Sequence, residues 1–349
     1  MDDLDIGLLA ELCGAPGLAG RESRVAEIIR KALPSSSWEL HSDNLGNLIA
    51  HLPGDGREVM LVAHMDEVGL IVRRITPDGY MLVERLGGMS VRALPGSRLD
   101  LWTKNGPISA QAGILPAHLD NRDSLDLSDI YIDIGVSSRE AAERMGVRVG
   151  DGLTWSAPLE QQGDHHVISK ALDDRLGCLI LIALAQRVLT RQPECDLTLA
   201  FVVQEETSLM GGVPVVNSVL PDIVIGVDGT LAFDTPDLQG EGSDIRLGAG
   251  PAIKLMDAIR GKTGSFVPDW GLAEKIRELA EQNDIPLQVE VAVGLSTAVT
   301  PLPFVGQGIR TAALSIPIRY HHTPIETADV HDALNLLELL YNFLNHIHT

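Results

Sequence analysis

The sequence predicts a three-layer α/β/α domain that is interrupted by a small β-barrel. Apolar runs typical of buried strands alternate with amphipathic helical segments on both sides of a β-rich stretch. The chain has 349 residues, which is more than a single hydrophobic core usually organises, and 45% of them are hydrophobic. We therefore expect residues 1–67 and 160–349 to form the α/β domain and residues 68–159 to form the insertion.

The two parts of the α/β domain supply its helices and strands. Apolar residues recur every three or four positions in the predicted helices, which are residues 4–13, 22–33, 171–189, 272–282 and 333–346. Short runs rich in Val, Leu and Ile give the predicted strands, which are residues 38–42, 48–52, 58–63, 196–204, 223–227, 287–293 and 311–316. This alternation implies a sheet with helices on both faces.

Residues 68–159 have a different character. Short β-like runs, such as residues 69–72 and 80–83, alternate there with Gly, Pro and Asp turns. A helix is predicted at residues 138–145 and nowhere else in this stretch. The pattern is typical of a small barrel.

The composition excludes some functions. A net charge of -21 argues against nucleic acid or an anionic membrane as a partner. The chain does not open with a cationic and then apolar signal segment, and no apolar run reaches the length of a membrane span. Three cysteines, Cys13, Cys178 and Cys195, fit free thiols in a reducing compartment. We therefore expect a cytoplasmic protein.

Residues able to bind metals stand where predicted elements end or begin. The apolar run 197–203 stops just before Glu205 and Glu206. Because successive side chains of an extended segment point in different directions, one of these carboxylates can bind a metal while the other faces substrate or water. Four further positions carry such residues: His64 with Asp66, Asp173 with Asp174, Asp228, and His321 with His322.

Each position taken alone has an ordinary explanation. His64 suits the end of a strand, Asp173 and Asp174 suit a helix N-terminus, and Asp228 suits a turn. All five positions together are better explained by a metal centre. Imidazole and carboxylate are ligands of zinc and cobalt, and a carboxylate shared by two ions is typical of two-metal hydrolysis.

Four segments resemble the signature blocks of the tetrahedral aminopeptidase family. They are residues 64–69, 171–178, 204–206 and 319–326, in the family's order and spacing. The family includes glutamyl and deblocking aminopeptidases and proteins once labelled cellulases or endoglucanases. The resemblance implies a phosphorylase/hydrolase-like metallopeptidase fold with an inserted barrel.

The resemblance also implies a role for each site residue. His64 and Glu206 would bind one metal ion, Asp228 and His322 the other, and Asp173 both. Glu205 would be the general base, and Asp66 would orient His64. His322 is preferred over His321 because the family's ligand directly precedes a Ser/Thr-Pro pair, here Thr323-Pro324.

The implied activity is the release of N-terminal residues from short peptides. It would use a water activated by two divalent ions, zinc or cobalt, with Glu205 as the base. The resemblance further implies a homo-oligomer, a dodecamer, assembled through the insertion.

Two segments depart from the family pattern and leave alternatives open. Residues 207–212 lack the family's arginine, and residues 294–300 lack an aspartate. One alternative is a related dinuclear-metal amidohydrolase or deacylase that acts on a non-peptide amide. The other is a catalytically silent homologue that serves as a scaffold.

Overall fold

A computed structural model describes residues 4–34, 36–116, 118–119, 124–238, 240, 242–258 and 265–347. The helices are α1 (Ile6–Gly14), α2 (Ser23–Ala32), α3 (Arg139–Arg144), α4 (Leu172–Arg187), α5 (Glu205–Ser208), α6 (Gly212–Val219), α7 (Trp270–Gln282) and α8 (Val330–Asn345). The strands before α4 are β1 (Glu39–Ser42), β2 (Leu48–Leu52), β3 (Glu58–His64), β4 (Gly69–Ile75), β5 (Met81–Leu86), β6 (Arg98–Thr103), β7 (Gly106–Ala112), β8 (Ile132–Asp133), β9 (Gly152–Trp155), β10 (Glu160–Gln162) and β11 (His166–Ser169). The later strands are β12 (Asp196–Val202), β13 (Ile223–Leu231), β14 (Ala252–Ala258), β15 (Ser265–Phe266), β16 (Gln288–Val293), β17 (Arg310–Arg319) and β18 (Glu326–Asp329).

A mixed sheet forms the middle layer. Its main order is β1-β2-β12-β3-β13-β17-β18-β11-β10, and β14 joins it beside β17. The central strands β12, β3, β13 and β17 run parallel to one another. Because parallel strands finish on the same side, the C-terminal ends of these four strands meet at one edge of the sheet.

Two apolar cores lie on opposite faces of this sheet. Along β3, Val59 and Leu61 belong to the larger core with α1, α2, α4, α7 and α8, whereas Met60 and Val62 belong to the smaller core with α6. Successive side chains of a strand point to opposite faces, so β3 contributes to both cores. The predicted three-layer arrangement is therefore confirmed.

Strands β4 to β9 close into a barrel in the order β4-β5-β8-β7-β6-β9. It has its own apolar core, which includes Leu99, Leu101 and Trp155. The predicted inserted barrel is thus confirmed, while the division of the chain at residues 67/68 and 159/160 stays a prediction. The link between β5 and β6 reaches back to the sheet, where Ser90 N donates a hydrogen bond of 3.3 Å to His322 O.

Two predicted strand ends differ from the structure in ways that affect the site. β12 ends at Val202, two residues early, because Gln204 adopts a left-handed φ of 57° and α5 begins at Glu205. Glu205 and Glu206 therefore lie in the first turn of a short helix and not on an extended segment. β13 continues to Leu231, so Asp228 lies within a strand, where we expected the strand to end at Val227.

The three cysteines are buried free thiols. Among the described residues, none of the helices combines the length and apolar character that crossing a membrane requires.

Candidate metal centre

The predicted site residues converge at the C-terminal edge of the parallel strands. Their positions are the end of β3 (His64), the start of α4 (Asp173), the start of α5 (Glu205 and Glu206), the interior of β13 (Asp228) and the turn after β17 (His322). Asp66 follows β3 and is fully buried. Elements far apart in sequence thus deliver their polar side chains to one place.

Asp173 is the centre of this cluster. Its Oδ1 lies 3.3 Å from His64 Nε2, and its Oδ2 lies 3.4 Å from His322 Nε2. The two imidazoles therefore approach different oxygens of one carboxylate. A carboxylate whose two oxygens face different imidazole nitrogens can bridge two cations.

The two remaining candidate carboxylates, Asp228 and Glu206, each lie near a different imidazole. Asp228 Oδ1 lies 3.8 Å from His64 Nε2, and Glu206 Oε1 lies 3.1 Å from His322 Nε2. Ligand atoms of His64, Asp173 and Glu206 also fall within 4.8 Å of one another. The shorter distances nevertheless favour His64 with Asp228 and His322 with Glu206, which exchanges the partners that the family resemblance led us to expect. The reason is that β13 lies directly beside β3 in the sheet, whereas α5 carries Glu206 towards the turn after β17.

Glu205 is buried beside these groups, with Oε2 4.0 Å from His64 Nε2. Burial raises the pKa of Glu205 well above its usual range, and His64 opposes this while Asp228 adds to it. The backbone N–H groups of Glu205 and Glu206 donate to Asp66 Oδ1 at 2.9 Å and Oδ2 at 3.0 Å. Asp66 therefore fixes the start of α5 and with it both acids.

Asp66 lies less close to His64 than to α5. The distance between His64 Nδ1 and Asp66 Oδ1 is 3.5 Å, and His64 Nδ1 is a buried atom with no hydrogen bond to any described residue. The role that we expected for Asp66, orienting His64, stays a prediction. Its support of α5 was not expected, because a sequence does not reveal which N–H groups face a carboxylate.

Two further carboxylates accept hydrogen bonds from the backbone N–H groups of candidate ligands. Glu326 accepts hydrogen bonds from His322 N at 2.8 Å and from Asp173 N at 3.2 Å. Asp174 accepts one from His64 N at 3.0 Å. Glu326 stands in a segment that resembles the family, but nothing in the sequence distinguishes it from an exposed acid.

The unusual segment 294–300 also supports the site. Ala298 N donates a hydrogen bond of 3.1 Å to Asp228 Oδ2. The hydroxyls of Thr297 and Thr300 donate to Asp257, which lies on β14, a strand that we did not predict. The segment 294–300 lacks the family's aspartate, and Asp257 of β14 anchors it through these hydroxyls instead.

The donor set fits divalent ions. Within the described part of the chain, four buried polar atoms of the cluster have no hydrogen-bond partner: Asp173 Oδ1, Glu205 Oε1, Glu206 Oε1 and His321 Nε2. Burial, reinforced by Asp173, raises the pKa of Asp228 to about 8 and that of Glu326 to about 8. Several carboxylates this close can all ionise only beside compensating positive charge, which divalent ions supply.

A cavity of about 340 Å³ opens onto the cluster. Besides the acidic and histidine side chains of the cluster, it is lined by Gly88, Thr207, Ser208, Leu209, Gly229, Gly294, Leu295 and Ser296. Residue 229 on the inner wall must be small, because a Cβ there would lie 3.0 Å from Asp173 Oδ1. A small substrate group can therefore reach the cluster.

Known proteins resemble the chain along nearly all of its length. Residues 46–339 match the family model described as M42 glutamyl aminopeptidase. The lysyl aminopeptidase of Pyrococcus furiosus is 33% identical over 344 residues, covering 96% of this chain and 95% of that protein. An aminopeptidase from the archaeon Desulfurococcus kamchatkensis has a similar structure, with a TM-score of 0.93, 31% identity and coverage of 98% and 94% of the two chains.

A second solved structure is that of the TET1 peptidase of Pyrococcus horikoshii, which is described as able to assemble into a tetrahedron or a large octahedral shell. Its TM-score is 0.87 at 30% identity, covering 98% of this chain and 99% of that one. The chain belongs to the M42 family of metallo-aminopeptidases, hydrolases that act on peptides.

Proposed function

We propose that the site releases N-terminal residues from short peptides with the help of two divalent ions, and that Glu205 is the general base. The observation that supports this most is the position of Asp173, whose Oδ1 lies 3.3 Å from His64 Nε2 and whose Oδ2 lies 3.4 Å from His322 Nε2. His64, Asp173 and Asp228 would hold one ion, and His322, Asp173 and Glu206 the other. Nitrogen and carboxylate donors favour zinc or cobalt.

The chain's own residues would move the proton. When bound, the two ions would lower the pKa of water and polarise the carbonyl of the scissile bond. Glu205 faces the cavity from a buried position, and its raised pKa suits a group that accepts a proton from water and passes it to the leaving amine. Asp66 would keep Glu205 in place through the N–H group that it binds.

One of the two ions would also hold the free α-amine of the substrate, at a cavity lined by Asp173, Glu205, Glu206 and Asp228. The relatives' assemblies suggest that this chain is also a homo-oligomer, and we propose a dodecamer as expected from the sequence. The cytoplasmic location stays a prediction.

A dinuclear-metal amidohydrolase is a second candidate, and the cavity lining favours it. Apart from Gly88 and Gly229, the residues that line the cavity beside the acids and histidines come from the two segments that depart from the family pattern, 207–212 and 294–300. A change in the walls of a cavity alters which substrate fits, even where the chemistry stays the same.

Hydrolysis of a substrate panel tests both candidates. The panel contains aminoacyl-anilides, short peptides and acylated amino acids. It is run on purified protein after chelation and again after addition of zinc, cobalt or manganese. Release of N-terminal residues that is lost on chelation and restored by metal is expected. Turnover of acylated amino acids without any peptide cleavage would favour the second candidate, and no turnover by protein with two bound ions would overturn both.

A further inference from the structure

His321 is a buried imidazole of the site to which the proposed function gives no role. Its side chain is 9% exposed and lies on the wall of the cavity. His321 Nε2 lies 2.9 Å from Asp173 Oδ2, closer than the Nε2 atom of His322 at 3.4 Å. By distance from the central carboxylate, His321 is therefore as well placed as the expected ligand.

Among the residues that the structure describes, the Nε2 atom of His321 is buried without a hydrogen bond of good geometry, even though Asp173 is near. Leaving a buried polar atom unpaired costs about 1–3 kcal/mol. The atom that faces it is Asp173 Oδ2, 2.9 Å away, and Oδ1 of the same carboxylate is buried without a hydrogen-bond partner among the described residues. A cation between the imidazole and the carboxylate would satisfy both groups, since each offers a lone pair.

The turn after β17 explains how two successive residues can face the same carboxylate. Successive side chains of extended backbone point to opposite faces. Here Tyr320 and His322 have left-handed φ angles of 55° and 60°. The rings of His321 and His322 consequently lie side by side, with centroids 4.2 Å apart and planes inclined by 34°.

The distances suit ligands of one ion. In tetrahedral zinc sites the metal–ligand distances are about 2.0–2.2 Å, which puts neighbouring ligand atoms roughly 3.4 Å apart. Asp173 Oδ2 lies 2.9 Å from His321 Nε2 and 3.4 Å from His322 Nε2, and Glu206 Oε1 lies 3.1 Å from His322 Nε2. Ligand atoms of Asp173, His321 and His322 all lie within 4.8 Å of one another.

We propose that His321 is a third imidazole ligand of the centre and binds the same ion as His322. The inference rests on the proposed two-metal function and adds an asymmetry to it. One ion would have two nitrogen ligands with Asp173 and Glu206, whereas the other would have only His64 with Asp173 and Asp228. Because imidazole suits zinc and carboxylate suits manganese, the nitrogen-rich position selects zinc and the other position accepts manganese more readily.

X-ray absorption of the unaltered protein loaded with two zinc ions gives a direct count. Three imidazoles shared by two ions give about 1.5 per zinc, whereas His64 and His322 alone give about 1.0. We expect the higher value. The lower value would overturn the proposal without any variant having to fold.

The variant H321N extends the test to affinity. Zinc and manganese binding are measured by calorimetry after chelation, next to H41N, which changes an exposed histidine on β1. We expect H321N to lose at least about tenfold in zinc affinity at one position, with a smaller loss for manganese. In H321D, a carboxylate replaces the imidazole, and the preference for zinc over manganese should fall. Zinc affinities of H321N equal to those of H41N would contradict the proposal.

These readouts are independent of the proposed activity. A third imidazole in a protein that cleaves no peptide would leave this inference standing and refute the peptidase function. Peptide cleavage by a protein with one imidazole per zinc would do the reverse.

Discussion

The parallel sheet and the barrel differ in where they expose polar side chains. Nearly every residue of β3 and β13 is buried, because helices or loops cover both faces of the sheet. In the barrel, β7 alternates between more and less exposed residues, with Ala110 and Ala112 turned inward. A sheet buried on both faces presents polar side chains to solvent mainly towards the ends of its strands, whereas a barrel presents them along its whole outer surface.

This difference explains how the site is divided between the two regions. The side chains proposed as ligands and base come from strands of the sheet and from the helices and the turn that adjoin them. The barrel approaches them with main-chain atoms, through the 3.2 Å contact of Gly88 O with His322 Nδ1 and the hydrogen bond from Ser90 N to His322 O. A carbonyl at Nδ1 favours a proton on that nitrogen and leaves Nε2 free to bind metal. The α/β domain thus carries the proposed chemistry, and the barrel contacts one of its groups through main-chain atoms.

Removing the proposed base should have the largest effect on activity. We expect E205Q to lower kcat by about 10³-fold, because a general base contributes that much, while two metal ions stay bound. E84Q, at an exposed position of the barrel, is the matched control and should keep full activity. Peptide hydrolysis and metal content are measured for both variants. Undiminished activity in E205Q would refute the assignment of the base.

Cavities made in the core of the α/β domain and in the core of the barrel should affect stability alike and activity differently. Leu199 on β12 and Leu101 on β6 are both fully buried, so L199A and L101A should each cost about 2–5 kcal/mol of unfolding free energy. Only L199A should also reduce kcat, since β12 leads into Glu205 and Glu206. Denaturant unfolding and peptide hydrolysis decide the matter. An equal loss of kcat in L101A would mean that the barrel core also sets the geometry of the site.

The contact of the barrel with His322 should give the smallest effect. A Cβ on residue 88 would lie 2.8 Å from His322 Nδ1, so G88A must displace the imidazole. We expect about a tenfold loss of kcat and weaker metal binding with little loss of stability. G14A is the control, because its Cβ meets nothing within 4 Å. If G88A and G14A behave alike, the barrel does not orient His322.

The central strands could be predicted because their apolar runs reflect burial on both faces. Strand β14 was missed because Lys254 and Asp257 interrupt its apolar pattern. Lys254 is nevertheless fully buried and pairs with Glu290 at 2.8 Å, a partner 36 residues away. In a sequence, a charged residue whose partner is far away along the chain looks like an exposed residue, because the partner cannot be recognised.

The same limit applies to the site. Residue type and position at strand ends pointed to the cluster, but the pairing of His64 with Asp228 depends on which strands are neighbours. The supporting roles of Glu326 and Asp66 depend on N–H groups whose directions only the fold defines. The resemblance also led us to set His321 aside, although it approaches Asp173 more closely than His322 does.

The buried cysteines make the chain convenient for site-specific labelling. Burial raises the pKa of the Cys13 thiol and of the Cys195 thiol to about 12, and it raises the pKa of Cys178 further. Thiol reagents react with thiolates, so these three residues are nearly inert towards them at neutral pH. A single cysteine introduced at the exposed Ser109 of the barrel would therefore be labelled by a thiol-reactive fluorophore while the native cysteines are not. The emission of that fluorophore would report on the barrel only.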